Sequence, residues 1–191
     1  MRWTIAIPVL LPLIGCGPLP PSATLPRDSV QGGTEPTRGA IISSAFAFNN
    51  PGGLSDPAVA ARALANVEFL AVSLPYDVRY SFAPIMQIQM AAAREEVHAA
   101  LGIAPDASPQ AVVDGLYGVS RALENLDAAA AERALSPAAF PDRLGTLRRI
   151  AALGPLPRAA EATAMAEREQ LRVQQESVSS YSGGGDSGGR P

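Results

Sequence analysis

The sequence predicts an all-α fold, an irregular bundle of about five helices with a disordered N-terminal tether and a disordered C-terminal tail. Three observations carry this. Apolar residues recur at i, i+3, i+4 and i+7 in several stretches between residues 57 and 151, the period of a helix with one buried face. Helix starts are written twice in one grammar, Ser55-Asp56-Pro57 and Ser108-Pro109. The polar side chain caps free amides, and proline at the first helical position lacks only an N–H that had no partner there. Finally, the short apolar run Ile41–Phe48 has no convincing second strand to pair with.

Residues 1–15 read as a signal. One basic residue, Arg2, precedes an apolar run from Trp3 to Ile14, after which the chain turns to Pro, Ser, Thr and Gly, the three-part layout of a secretory leader. A spanning helix needs about 20 apolar residues. This run is shorter and carries Pro8 and Pro12, so the membrane is touched rather than crossed. In Leu13-Ile14-Gly15-Cys16 a small residue stands directly before the cysteine that closes the apolar run, and this resembles the lipobox of bacterial lipoproteins. The resemblance implies cleavage before Cys16 and acylation of that cysteine. It covers residues 1–16 and names a mode of export and anchoring, not an activity. Two or three acyl chains, at about 0.8 kcal/mol per buried CH2, hold a protein on a bilayer without a polybasic patch. In that family aspartate after the cysteine tends to retain the protein in the inner membrane. Gly17 stands here, which favours the outer membrane, with the domain facing the periplasm.

Without residues 1–15 the 191-residue chain keeps 176, enough for one domain with an ordinary core. Removing Arg2 from the 15 basic residues leaves 14 against 18 acidic ones, a net charge of −4. Phosphate binding needs a basic face, so nucleic acid is not an expected partner. Every basic residue is arginine, as a GC-rich genome gives. Cys16 is the sole cysteine, so the domain's stability rests on packing without an internal disulfide.

Residues 16–40 contain Pro18, Pro20, Pro21, Pro26 and Pro36 and few apolar residues; they read as a tether that holds the domain off the bilayer. The helical domain spans residues 41–176. Ile41–Phe48, stopped by Asn49-Asn50-Pro51-Gly52-Gly53, is expected as an extended arm or a short helix. The first long helix follows Asp56-Pro57 and ends at Pro75, with Leu64, Val67, Leu70 and Leu74 on its buried stripe and Arg62, Asn66 and Ser73 on another face. Ser81 is expected to cap the second, Phe82–Leu101, whose stripe is Phe82, Ile85, Met86, Gln89, Ala93, Val97 and Leu101; Gly102 stops it. The third runs from Pro109 to about Leu126. Its Gly115 and Gly118 each disfavour a helix by about 1 kcal/mol relative to alanine, which makes close approach of a neighbour the physical reason for them. An Ala-rich piece at 128–135, a helix around Leu144, Leu147 and Ile150, and a charged last helix from Pro157 to about Glu176 with apolar Ala160, Ala164, Met165 and Leu171 complete the domain. Residues 177–191, rich in Ser and Gly, are the tail.

Catalytic and metal chemistry find little support. Glu95-Glu96-Val97-His98 contains Glu-x-x-His, the spacing of ferritin-like diiron sites, but those sites use two such motifs and two more glutamates. His98 is the only histidine; with Glu95 it is expected to face solvent. No Gly-x-Ser-x-Gly elbow is present, and no glycine-rich stretch stands between a strand and a helix with a following lysine. Met86 and Met90 are expected to fill core rather than bind copper or line a ligand pocket. No cofactor and no metal ligand is therefore assigned, and the chain is not expected to be an enzyme.

The connector Tyr76-Asp77-Val78-Arg79-Tyr80 is denser in aromatic and charged groups than its length explains. Loops carry function more often than the elements they join, and Tyr and Arg are enriched at interface hot spots. Tyr76, Asp77, Arg79 and Tyr80 are the candidate partner surface. The expected function is a non-enzymatic, membrane-anchored envelope module that binds or supports another envelope protein. A small-molecule or lipid-binding module and a wall-glycan hydrolase using paired carboxylates are the alternatives.

Overall fold

The computed structural model describes residues 22–29 and 35–182. Cys16, the signal and the tail beyond residue 182 lie outside them. Among the described residues the fold is all helical, with seven α-helices rather than about five and no strand: α1 Pro36–Asn49, α2 Pro57–Ser73, α3 Pro84–Leu101, α4 Pro109–Glu124, α5 Ala128–Ala134, α6 Arg143–Ala151 and α7 Pro157–Ser182.

Five of these helices begin on proline, and carboxylates or a hydroxyl close most of the starts. Glu35 accepts from the amides of Thr37 and Arg38 at 3.0 Å each, Asp56 from Ala58 at 2.8 Å and Ser108 from Ala111 at 3.2 Å. Asp127 and Asp142 do the same for α5 and α6, each at 2.8 Å. The start of α7 is closed from outside: the Ala159 amide donates to Glu96 of α3 at 2.9 Å. At the C-terminus of α3, Gly102 takes the left-handed conformation, φ 70°.

The largest departure from expectation is α1. Of the two expectations for Ile41–Phe48, the helix is the one found and the extended arm is not; the helix is longer than expected and starts inside the segment read as tether. Its serines fit because they bond back to the preceding turn, Ser43 Oγ to Gly39 O at 2.7 Å and Ser44 Oγ to Ala40 O at 2.6 Å. Residues 23–25 of the expected tether are also engaged. Thr24 donates through its amide to Gln110 Oε1 at 2.8 Å and accepts from Gln110 Nε2 at 3.1 Å, while Ala23 and Leu25 pack against the core. At the other end α7 runs to Ser182, past the expected boundary at Glu176.

α2 is the centre. α1, α3 and α4 all pack on it, and α7 closes over α1 and α3. Arg62 of α2 meets Glu124 at the end of α4, and Asn66 meets Tyr117 in its middle, so these two helices run antiparallel. With neighbours on three sides, the polar face expected on α2 is covered in part: Asn66 is buried and Arg62 and Ser73 are half-buried, and Glu68, not expected on that face, is inside. Asn66 donates to Ser43 Oγ at 2.9 Å and accepts from the Tyr117 hydroxyl at 2.6 Å, stitching α1, α2 and α4 together. Residues 57–76 are long and apolar enough to cross a membrane, but most of that stretch is buried within the bundle, as a core helix is.

Two stripes shift. On α3, Met86, Met90, Ala93, Val97 and Leu101 are buried as expected, but Phe82 precedes the helix and is 88% exposed, and Ile85 is 65% exposed. On α7, Ala159, Ala162, Thr163, Ala166 and Gln170 face inward, and the expected Leu171 is half exposed. Leu144, in the helix expected around it, and Leu126, the expected end of the third helix, are exposed as well; Leu126 follows the end of α4 with φ 57°. The glycine expectation holds. A Cβ on Gly118 would stand 2.7 Å from Ala134 Cβ, and one on Gly115 2.9 Å from Phe140 Cε2, so α4 meets α5 and the segment after it at backbone distance.

Candidate functional site

The connector between α2 and α3 folds as two single 3-10 turns, Leu74–Tyr76 and Val78–Tyr80, hinged at Asp77. Asp77 Oδ1 accepts from the Arg79 amide at 3.0 Å and from Arg79 Nε at 2.9 Å. Arg79 Nη1 continues to Glu35 Oε2 at 3.0 Å, so one guanidinium clamps the connector to the start of α1. Charge-assisted bonds of this kind are the stronger class. The hydrogen bond from Arg79 holds the Asp77 carboxyl below its usual range, and the two carboxylates, Asp77 foremost, push the Arg79 guanidinium up. For Glu35, desolvation acts upward, but the Arg79 bond together with the Arg38 and Thr37 amides outweighs it and brings the carboxyl to about 2.

Tyr80 departs from the expected surface. It is fully buried, its hydroxyl donates to Gln170 Oε1 of α7, and burial pushes its phenol up to about 12. A five-residue connector does not present both tyrosines to water when its second half is pinned through Arg79 to Glu35 and through Tyr80 to Gln170. Tyr76 does face out, 62% exposed, as does Val78 at 82%. Asp77 and Arg79 lie at the surface with their charges occupied by each other and by Glu35. The surface that remains is therefore Tyr76 and Val78 on a braced turn.

Three open depressions adjoin it in series. The first, about 520 Å³, is lined by Ser22, Val72, Ser73, Tyr76, Asp77 and Val78, among others. Ser73 Oγ on its wall is buried without a hydrogen-bond partner among the described residues. The second, about 200 Å³, shares Val72 and Tyr76 with the first and reaches Ala91, Arg94 and Glu95 of α3. The third, about 430 Å³, shares Arg94 and Glu95 and continues to His98, Gly102 and Ile103. Tyr76 and the Arg94–Glu95 pair thus link them into one groove that runs from the end of α2 onto α3 and the segment after it. Each depression carries a single carboxylate on its lining, Asp77 in the first and Glu95 in the others.

Under the groove lies a group that sequence reasoning missed. Glu68 of α2 has no exposed side-chain surface; its Oε1 accepts from Arg94 Nε at 2.9 Å and its Oε2 lies 2.7 Å from His98 Nε2. His98 is consequently not the solvent-facing partner of Glu95; its side chain is 14% exposed and held by Glu68. A lone acid in the apolar run of α2, with Arg94 and His98 one turn apart on α3, was the available signal. Among the described residues no three of His, Cys, Asp and Glu gather as metal ligands. Met86 and Met90 are buried in the core and line none of the three depressions.

No protein-family model, curated protein or solved structure matches the chain.

Proposed function

We propose that the chain is a bacterial envelope lipoprotein, acylated at Cys16 and carried on the outer membrane, whose helical domain is a non-enzymatic module that binds another envelope protein in the α2–α3 groove. The observation that carries the binding role is the linked groove itself, which starts at Tyr76 and Val78 on a turn braced by the Asp77–Arg79–Glu35 ion pairs. A protruding aromatic on a rigid support loses little entropy on binding, and Tyr76 at one end with Arg94 further along supplies residue types enriched at protein interfaces. Its openness suits a protein segment better than a small molecule, which is usually enclosed on most sides. Asp77 and Glu95 line different depressions of the groove, and no one lining brings two carboxylates together as the opposed pair used to cleave a glycosidic bond. The lipid anchor is supported by the Leu13-Ile14-Gly15-Cys16 pattern.

Two measurements test the two halves separately. Replacing Tyr76 by a photo-crosslinking residue in the full-length protein in its own envelope should give a discrete protein adduct that Glu95→Arg weakens, with no such adduct from Leu126. Adducts equal at both positions would remove the groove from consideration. Mass measurement of the mature protein, beside Cys16→Ser, reads the anchor; an unacylated mature chain refutes it without bearing on the groove.

A further inference from the structure

The first ten residues of α3, Pro84–Ala93, contain no charge; Arg94 is the first. On a helix whose outer side met only water, charged residues would occupy that side. Instead, Ile85 and Ile88 are 65% and 68% exposed, Pro84 and Ala91 beside them are exposed, and Phe82 just before the helix is 88% exposed. Ile88 lies about 120° around the helix from Arg94; Phe82, Ile85 and Ile88 line none of the three depressions, and of this face only Ala91 borders the groove. It is the N-terminal half of α3 that is bare and apolar, and the chain geometry places that half at one particular end of the bundle.

The N-terminal segment arrives at the same end. Ser22 shares a depression with Val78, and Phe82 follows four residues later. Five residues stand between Cys16 and Ser22, six Cα–Cα steps and a reach of about 20 Å even fully extended. With Thr24 fastened to Gln110 of α4, the leash is far shorter than a tether of residues 16–40. An acyl group on Cys16 therefore holds the bilayer close to Phe82, Ile85 and Ile88.

We infer that this face, Phe82 with Ile85 and Ile88, lies in the phospholipid headgroup region, so that the domain is seated on the bilayer rather than suspended from it. The inference rests on the acylation of Cys16. Apolar helix faces that lie on membranes enter about 5–10 Å into the headgroup and acyl boundary, a depth these three side chains reach while Arg94 and Glu95, two turns on, stay in water.

The test uses the acylated full-length mature protein, which has no tryptophan once Trp3 leaves with the signal. Phe82→Trp is compared with Leu126→Trp, a 93% exposed position beyond α4 at the opposite end. Both are placed in phosphatidylethanolamine and phosphatidylglycerol vesicles in which part of the lipid is brominated on its acyl chains. At interfacial depth Phe82→Trp should be quenched at least about threefold more than Leu126→Trp, with blue-shifted emission. Adding Ile85→Ser and Ile88→Ser should reduce that quenching while circular dichroism stays unchanged. Vesicle-bound protein quenched equally little at both positions overturns the seating and leaves acylation standing. The same follows if Phe82 is instead crosslinked to a protein in the envelope. A mature chain lacking acyl mass overturns both.

Discussion

Glu68 offers the sharpest test of the core. Its carboxylate is fully buried between α2 and α3, with Arg94 at 2.9 Å and His98 at 2.7 Å, and those partners keep only 29% and 14% of their side chains exposed. Breaking a buried ion pair by removing one partner typically loses about 3–5 kcal/mol, because the other charge is left uncompensated. Here each partner backs up the other. Arg94→Met and His98→Leu should therefore each lose about 2 kcal/mol, in the range for a hydrogen bond to a charged group, and the double variant about 4–5 kcal/mol. At a urea m-value of about 2 kcal/mol/M, that is about 1 M in midpoint for each single change and more than 2 M for the pair, read by circular dichroism. Adding Glu68→Leu to the double variant removes the orphaned charge and should recover most of the loss, since apolar replacement of a whole buried ionic cluster is often close to neutral. If the single variants each lose less than about 0.5 kcal/mol, or the triple variant is no more stable than the double, the buried tie does not hold α2 to α3.

The connector divides in the same assay. Tyr80→Ala should lose about 3–5 kcal/mol as a buried aromatic, and Tyr76→Ala less than about 1 kcal/mol as a surface group. Tyr80 also sets an alkaline limit: with its phenol raised from 10.0 to about 12 by burial, its contribution is complete below pH 10 and is lost as pH rises toward 12, and Tyr80→Phe should remove that phase from an absorbance-monitored base titration. Glu35 acts at the acid end. Its carboxyl, lowered from 4.5 to about 2, contributes fully above pH 4.5 and not below about 2, so the gap in urea midpoint between wild type and Glu35→Gln should be present at pH 6 and close as pH falls through that window. Gly118→Val should lose about 2 kcal/mol through overpacking against Ala134, and an unchanged midpoint would mean α5 can withdraw freely.

What the sequence made legible was local. Asp56-Pro57 and Ser108-Pro109 announced two helices because a cap and a proline act within one turn. Glu35-Pro36 is the same device with a less usual capping residue, and Ile41–Phe48 is apolar at nearly every position, so neither a helical nor a strand period stood out. The α3 stripe was right from Met86 onward and wrong at Phe82 and Ile85, because spacing along one helix does not reveal where its neighbour ends. α2 stops at Ser73, and among the described residues Phe82 and Ile85 at the start of α3 stay exposed. Glu68 was invisible for a related reason: Arg94 and His98 reach it only once α2 and α3 are in register, across 26 and 30 residues of chain. In the candidate surface, Tyr76, Asp77 and Arg79 could be read from composition, while the inward turn of Tyr80 depends on α7 bringing Gln170 to it.

The Thr24–Gln110 pairing has a mechanical consequence. Gln110 sits in the first turn of α4, beside the proline that starts it. Tension applied to the chain ahead of Ser22 is resisted there first, by side-chain and backbone bonds in parallel, and passes into α4 and the central α2 before any of it reaches Pro36. α1 is thereby shielded from strain that its position as the first helix would otherwise expose it to. A load on the N-terminal side is borne by the two most thoroughly packed helices of the protein.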